Sequence, residues 1–184
     1  VPKFHKWASK IDPIFEKFKT DHPRLVLPYY DINKNLLGFT CRAYGNEQPK
    51  YIHLRTDDTR EFIYGQDHVD INKPILAVEG QIDSLFLDNC IAVNGGDFSL
   101  PFLEQNKSKI IVIPDSDWKR NKQVYGSLEK IIDEGFRVSL MPESIPWKDI
   151  NDCIVKGNLS KQKVMEIIMQ NVTSGLKAKL EISH

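Results

Sequence analysis

The chain has 184 residues, 41% of them hydrophobic and 27% charged, and its 25 Lys and Arg side chains balance its 25 Asp and Glu side chains. This length allows one sizeable core or two small ones. The balanced charge excludes a protein that binds nucleic acid over its whole surface, so any such contact must come from a local basic patch. No apolar run approaches the roughly 18 residues that span a membrane, and the start VPKFHKWASK lacks the apolar core of a signal peptide. We therefore expect a globular protein with no membrane partner.

The cysteines and histidines limit which metal sites the chain can form. Cys41, Cys90 and Cys153 lie far apart and form no CxxC pair, which excludes a zinc ribbon and a disulfide framework. The five histidines lack a ligand spacing such as HxxxH. We expect no zinc in this chain and a reducing, cytoplasmic location.

The first third of the sequence predicts a small α+β subdomain. Apolar residues at spacings of three and four in residues 3–22 indicate amphipathic helix, with Pro13 separating two short helices. Two β-rich runs then flank a turn at residues 31–35, and a third follows the break at Gly45 and Asn46. This pattern predicts an antiparallel meander from about Leu25 to Leu54.

From Pro74 onward, short apolar runs alternate with helical stretches, which is the pattern of βαβ units around a mostly parallel sheet. We predict a domain boundary near residue 72, an α/β domain over residues 73–157 and a helical extension over residues 158–184. The predicted strands are residues 75–78, 90–93, 109–114 and 136–141. The predicted helices are residues 82–88, 100–105 and 119–133, with a final helix marked by Val164, Ile167, Ile168 and Val172.

Acidic residues follow two of these strands. Glu79 comes directly after the first, and Asp115 and Asp117 follow the third. Ligands bind at the carboxyl ends of strands in open parallel sheets, so these acids are expected to converge. Asp115 and Asp117 are separated by one residue and point to the same side of an extended segment, where carboxylate oxygens suit a hard ion such as Mg²⁺. Gly80 allows a tight turn or a close approach to a ligand.

Two further acidic features accompany this pattern. Asp83 follows Glu79 by four residues and either caps the next helix or joins the acidic cluster. A third acidic run, Lys148-Asp149-Ile150-Asn151-Asp152, follows the fourth strand. Each feature alone is common in turns and solvated loops, and it is their combination that indicates a site.

The stretches VEGQIDSLFL, VIPDSD and KDIND resemble the three signature elements of the Toprim domain, which occurs in primases, topoisomerases, some nucleases and recombination proteins. This resemblance covers about Pro74 to Gly157. The preceding segment resembles the polymerase core of DnaG-type DNA primases, and the closing SGLKAKLEIS is similar to primases of tailed phages. The matching residues in the preceding segment are Asp31, Leu37-Gly38-Phe39, Arg42, Pro49-Lys50-Tyr51 and Tyr64-Gly65.

The resemblance implies an RNA primer synthase that acts on single-stranded DNA with ribonucleoside triphosphates during DNA replication. It implies that Glu79, Asp115 and Asp117 are catalytic and hold Mg²⁺ or Mn²⁺, with Asp149 as a further ligand. Basic side chains would contact template or nucleotide phosphate. These are Arg42, Lys50, Lys119, Arg120 and Lys148.

The sequence departs from the primase pattern in two places. Trp118 and Lys119 follow Asp117 where the family has Ala-Gly, and Asp149-Ile150-Asn151 stands where Asp-Pro-Asp is common. Trp118 either stacks on a base or packs under its loop.

Primases usually carry a zinc-binding template reader and often a region that contacts the replicative helicase. With no CxxC here, we expect this chain to be a polymerase-core fragment whose partners include both, working in the bacterial host cytoplasm if phage-encoded. Two alternatives remain: a Toprim-type metal-dependent DNA nuclease, and a non-catalytic Toprim module that binds DNA in recombination.

Overall fold

The computed structural model describes residues 1–93 and 98–183. It forms two compact units, Val1–Asp67 and His68–His184. The predicted fold class is confirmed, because an antiparallel three-stranded sheet lies in the first unit and a mostly parallel sheet in the second. Within the described ranges, no helix combines the length and the apolar character that crossing a bilayer demands.

The first unit confirms the predicted meander. Its sheet has the strand order β1-β2-β3, and its register pairs Val26 with Cys41 and Cys41 with Ile52. A short 3₁₀ turn at Pro13–Lys17 follows the first helix, so Pro13 does separate two helical segments. The elements are α1 (Phe4–Ala8), β1 (Arg24–Tyr30), β2 (Leu36–Ala43), β3 (Tyr51–Arg55) and β4 (Ile63–Tyr64).

The helical segments cover one face of this sheet with aromatic side chains. Phe4 is fully buried and meets Phe15 edge to face, with ring centroids 5.5 Å apart. Trp7 packs in the same way against Phe39 of β2 at 5.2 Å. Such pairs contribute about 0.5–1.5 kcal/mol beyond their buried area. The spacing of three and four in the sequence therefore marks the face of the helices that packs on the sheet.

The second unit contains βαβ units, as predicted. Within it the strands lie in the order β6-β5-β7-β8-β9, and the ladders are parallel except for the last, β8 with β9. The elements are β5 (Ile75–Val78), α2 (Gln81–Ser84), β6 (Cys90–Val93), α3 (Pro101–Gln105), β7 (Ile110–Val112), α4 (Lys122–Asp133), β8 (Arg137–Ser139), α5 (Ile150–Val155), α6 (Lys161–Gln170), β9 (Val172–Thr173) and α7 (Gly175–Ile182).

Every residue of β5 and of β7 is buried, which is why both read as continuous apolar runs. The two strands are parallel neighbours, with Ala77 opposite Val112. Their carboxyl ends therefore meet at the same edge of the sheet. The residues that follow each strand are brought together there.

Three predicted helices differ from the observed ones. The helix predicted for residues 82–88 ends at Ser84, and the chain continues through i→i+3 bonds from the amides of Leu85, Phe86 and Leu87. The helix predicted to begin at Lys119 begins at Lys122, because the Asn121 side chain accepts hydrogen bonds from the Gln123 and Val124 amides and a 3₁₀ turn occupies Ser116–Lys119. Val172 was predicted to belong to the final helix, but α6 ends at Gln170 and Val172 lies in the short strand β9, which was not predicted because two residues are too few to show a period.

Candidate active site

The structure places Glu79 and Asp115 at the shared edge of the sheet. Glu79 directly follows β5, and Asp115 follows β7 after Ile113, whose amide still bonds to the Ala77 carbonyl at 2.8 Å. Burial raises the pKa of Glu79, and the charges of Asp115 and Asp117 raise it further. Burial and the neighbouring acids also raise the pKa of Asp115, against the opposing effect of Lys148. The predicted convergence of these three acids is thus observed.

Lys148 lies between the two aspartates. Its Nζ is 3.2 Å from Oδ2 of Asp115 and 3.2 Å from Oδ2 of Asp117. Burial alone would lower the pKa of Lys148, but the contacts with Asp117 and Asp115 outweigh it and raise that pKa above its ordinary value. Lys148 was predicted to bind phosphate, and its ion triad with Asp115 and Asp117 was not predicted because it depends on the path of two loops.

Backbone contacts fix the loop that carries Lys148 to the loop that carries the aspartates. The Ser116 amide donates to the Lys148 carbonyl at 2.8 Å, and the Ser116 hydroxyl donates to the Trp147 carbonyl at 3.3 Å. The Lys148 backbone is therefore held next to Asp115. Its side chain, 52% exposed, keeps its freedom to rotate.

Asp83 joins the acidic cluster and also supports its third loop. Its Oδ1 accepts a hydrogen bond from the Asn151 amide at 2.8 Å. Burial raises the pKa of Asp83 to about 6, with Asp149 and Asp115 contributing in the same direction. Of the two roles that the sequence left open for Asp83, membership of the acidic cluster is observed, whereas capping of the next helix is not, because Asp83 lies within α2 and supports the first turn of α5 instead.

Asp149 lies at the start of α5 and caps it. Its side chain accepts from the Asp152 amide at 2.7 Å, and Asp152 in turn pairs with Lys156 at 2.7 Å. Asp149 also raises the pKa of Asp83 and of Asp115 by its charge. Its carboxylate therefore adds to the negative field of the cluster while it holds the helix.

The donor set is chemically suited to a cation. After burial, the charges of neighbouring acids raise the pKa of Glu79, Asp83 and Asp115, which is the mark of charge repulsion that a cation relieves. A cation already lies there, since the Lys148 ammonium contacts two carboxylates. In this arrangement, no group of three or more His, Cys, Asp or Glu among the described residues is set to hold a metal ion.

A cleft of about 410 Å³ opens beside the aspartates. Lys119, Arg120 and Lys148 line it together with Asp117. Over residues 1–93 and 98–183, neither Lys119 nor Arg120 forms an ion pair, so both offer their charge to a ligand. Trp118 is buried and Lys119 Nζ lies 5.5 Å from its ring centroid, so the tryptophan packs under the loop and does not present a face for stacking.

The predicted basic residues Arg42 and Lys50 lie in the first unit. Arg42 is on β2 opposite Tyr51, and its Nε is buried without a hydrogen-bond partner in the described residues. Lys50 is exposed, and its Nζ lies 5.7 Å from the Tyr51 ring centroid. Lys50 precedes β3, and its exposed ammonium is open to an anion, whereas the buried Nε of Arg42 is not accessible from solvent.

The chain resembles DNA primases in sequence and in fold. It is 33% identical over 181 residues to the DNA primase of Enterobacteria phage T4, which covers 97% of this chain and 52% of that protein. The chain thus spans about half the length of the curated relative it matches. No protein-family model matches it.

Solved structures of primases share the fold. A DnaG primase catalytic domain bound to single-stranded DNA matches with a TM-score of 0.58 and 21% identity, over 82% of this chain and 53% of that one. The primase fragment of the bacteriophage T7 primase-helicase protein matches with a TM-score of 0.55 and 19% identity, over 78% and 61%. The resemblance to DnaG-type and phage primase cores that the motifs indicated is confirmed, and the fold is that of a primase catalytic core.

Proposed function

We propose that this chain is the polymerase core of a DNA primase, which synthesises short RNA primers on single-stranded DNA during replication. The observation that carries the proposal is the meeting of Glu79, Asp115 and Asp117 at one sheet edge of a primase-core fold. The similarity to T4 primase over nearly the whole chain supports it.

In this proposal Glu79, Asp115 and Asp117 hold Mg²⁺ or Mn²⁺, with Asp149 contributing charge and a further ligand. Divalent ions in such sites stabilise the attacking and leaving oxygens of a phosphoryl displacement. Desolvation and the charges of both Asp115 and Asp117 raise the pKa of Glu79, which suits this carboxylate to hold or accept a proton.

The basic residues divide into two groups by position. Lys119, Arg120 and Lys148 line the cleft beside the aspartates and would bind the triphosphate of the incoming ribonucleotide. Arg42 and Lys50 would contact the phosphates of the template or of the nucleotide from the first unit. Residues 1–72 then act as a substrate-binding subdomain, residues 73–157 as the Toprim catalytic domain, and residues 158–184 as a supporting extension.

We further propose that the full protein works with a zinc-binding template reader and a replicative helicase that lie outside this sequence, in the cytoplasm of a bacterial host. The near-zero net charge predicts weak template binding by the core alone. Attachment to a helicase would raise the effective concentration at the template.

Primer synthesis tests the proposal directly. The chain is incubated with single-stranded DNA, labelled ribonucleotides and Mg²⁺ or Mn²⁺, beside supercoiled plasmid in the same buffer. We expect short labelled oligoribonucleotides from the parent protein and a loss of at least about a hundredfold in Asp115→Asn, the scale on which charge-stabilising groups act. If the isolated core is silent, the zinc-binding domain of a relative is supplied in trans.

Asp88→Asn is the matched control, because it removes the same charge at an exposed ion pair with Lys161. It should retain the parent's activity. Plasmid nicking without oligoribonucleotide synthesis would refute the primase proposal in favour of a Toprim nuclease. No product of either kind, even with the added domain, would favour the non-catalytic module.

A further inference from the structure

Lys148 contacts two carboxylates, and binding a phosphate does not require such contacts. Its ammonium contacts Asp115 and Asp117 at 3.2 Å each, so the two acids share one cation supplied by the chain itself. A divalent ion held by the same two carboxylates would lie close to the Lys148 ammonium, which contacts one oxygen of each. Two cations cannot use these oxygens together without strong repulsion.

The surroundings of Lys148 allow it to leave. Its side chain is 52% exposed, so moving it breaks no packed core. Its backbone is anchored by the bond from the Ser116 amide to its carbonyl, so the stem can rotate while the loop stays in place. Lys148 also lines the 410 Å³ cleft that holds Lys119 and Arg120, which gives the displaced ammonium a polar place to go.

We propose that Lys148 is a tethered counter-ion that competes with the divalent cation for Asp115 and Asp117, and so keeps metal affinity low until it swings into the neighbouring cleft. The inference rests on the proposed function, since it takes the acids to be the metal ligands. It assigns Lys148 a role before nucleotide binds. In the cleft, the released ammonium would add a third positive charge to those of Lys119 and Arg120, where the nucleotide triphosphate is proposed to lie.

Metal affinity of the nucleotide-free protein tests this competition. Mn²⁺ binding to the full chain is measured by calorimetry and by the loss of the free-ion paramagnetic resonance signal. We expect Lys148→Met to bind Mn²⁺ at least about tenfold more tightly than the parent, because one like charge next to the ion is removed. Lys148→Arg retains the charge and should bind no more tightly than the parent.

Lys156→Met is the matched control, since it makes the same replacement at an ion pair that contains neither Asp115 nor Asp117. Its affinity should stay within about twofold of the parent, the range of a distant charge screened by salt. Circular dichroism and urea unfolding verify that each variant is folded. If Lys148→Met does not fold, Lys148→Gln repeats the comparison with a polar side chain of similar length.

A second readout follows the lysine itself. The rate of reductive methylation of Lys148, resolved by peptide mass spectrometry, should be low in metal-free protein and should rise when Mg²⁺ is added. The rate at Lys122, which lies outside the ion triad, should not change.

The outcomes separate this inference from the proposed function. If the parent binds Mn²⁺, Asp115→Asn abolishes that binding and Lys148→Met binds no more tightly, the counter-ion role is wrong and the metal site stands. An unchanged methylation rate at Lys148 under saturating metal would also overturn the counter-ion role. If neither the parent nor Lys148→Met binds Mn²⁺, the metal site itself is wrong and the inference falls with it.

Discussion

Gly80 leaves the space that the Asp83 carboxylate occupies. The backbone at Gly80 has φ −93° and ψ 133°, which any residue adopts, so its small size and not its conformational freedom is what matters. A Cβ at this position would overlap Oδ2 of Asp83. The sequence predicts a structural glycine at this position, and the reason for it is the Asp83 carboxylate that fills the space a side chain would need.

Gly80→Ala should therefore displace Asp83 from the Asn151 amide. We expect a loss of about 1–3 kcal/mol in the free energy of unfolding, the cost of disrupting a buried hydrogen bond to a carboxylate. Urea unfolding measures the loss, and amide hydrogen exchange reports it locally, with faster exchange at Asn151. Unchanged exchange at Asn151 would show that Asp83 relaxes without releasing the amide.

At the scale of a helix, replacing Gly126 should stabilise the protein, in contrast to replacing Gly80. It lies in α4, it is exposed, and a Cβ built there would meet nothing within 4 Å. Alanine in a helix interior is more favourable than glycine by about 0.5–1 kcal/mol. We expect Gly126→Ala to raise Tm by roughly 2–4 °C for each kcal/mol gained in a chain of this length.

Thermal unfolding monitored at 222 nm measures this shift, and Gly80→Ala under the same conditions should move Tm the other way. A lower Tm for Gly126→Ala would mean that the exposed face of α4 is constrained by a contact outside the described residues.

The elements show which parts of the fold follow from sequence. Buried parallel strands such as Ile75–Val78 are continuous apolar runs, so their positions and the acids that follow them could be predicted. The helical periodicity predicted after Gly80 is also observed, but beyond Ser84 it continues in i→i+3 turns. Periodicity in so short a segment does not distinguish such turns from an α-helix. The site's supporting contacts, from Lys148 to Asp115 and from Asp83 to Asn151, depend on how separate loops meet. No local pattern encodes them.

At the scale of the whole molecule, the first unit should lose stability in acid because of a contact between a buried arginine and a histidine. In the first unit, Arg24 is fully buried and its Nε donates to Nε2 of His22 at 2.9 Å, so this histidine nitrogen carries no proton. Burial and the charges of Arg24 and His5 lower the pKa of His22 from its ordinary value of 6.5, although Glu47 and Asp21 oppose them. Protonation would place two positive charges in contact.

Protonation of His22 is expected to destabilise the first unit. Because the folded pKa of His22 lies below its unfolded value, the unfolded state binds more protons, and stability is lost as pH falls through 6.5. We expect the urea midpoint of the first unit to fall between about pH 7.5 and about pH 5.5, roughly one unit either side of an ordinary histidine pKa. The fluorescence of Trp7 reports it in a background where Trp118 and Trp147 are replaced by Phe. His22→Gln, which still accepts a hydrogen bond but does not titrate, should flatten the slope. An equal slope in that variant would assign the acid sensitivity to another group.

The antiparallel pairing of β9 with β8 has a practical consequence for dissecting the molecule. Val138 and Ser139 pair with Thr173 and Val172, so this short return of the chain covers one side of β8. A fragment cut at the predicted end of the Toprim region, near Gly157, would leave that side of β8 with unpaired amides and carbonyls. Open strand edges are templates for pairing between molecules, and such a fragment would tend to aggregate. A fragment intended to stay monomeric in solution needs to extend past Thr173.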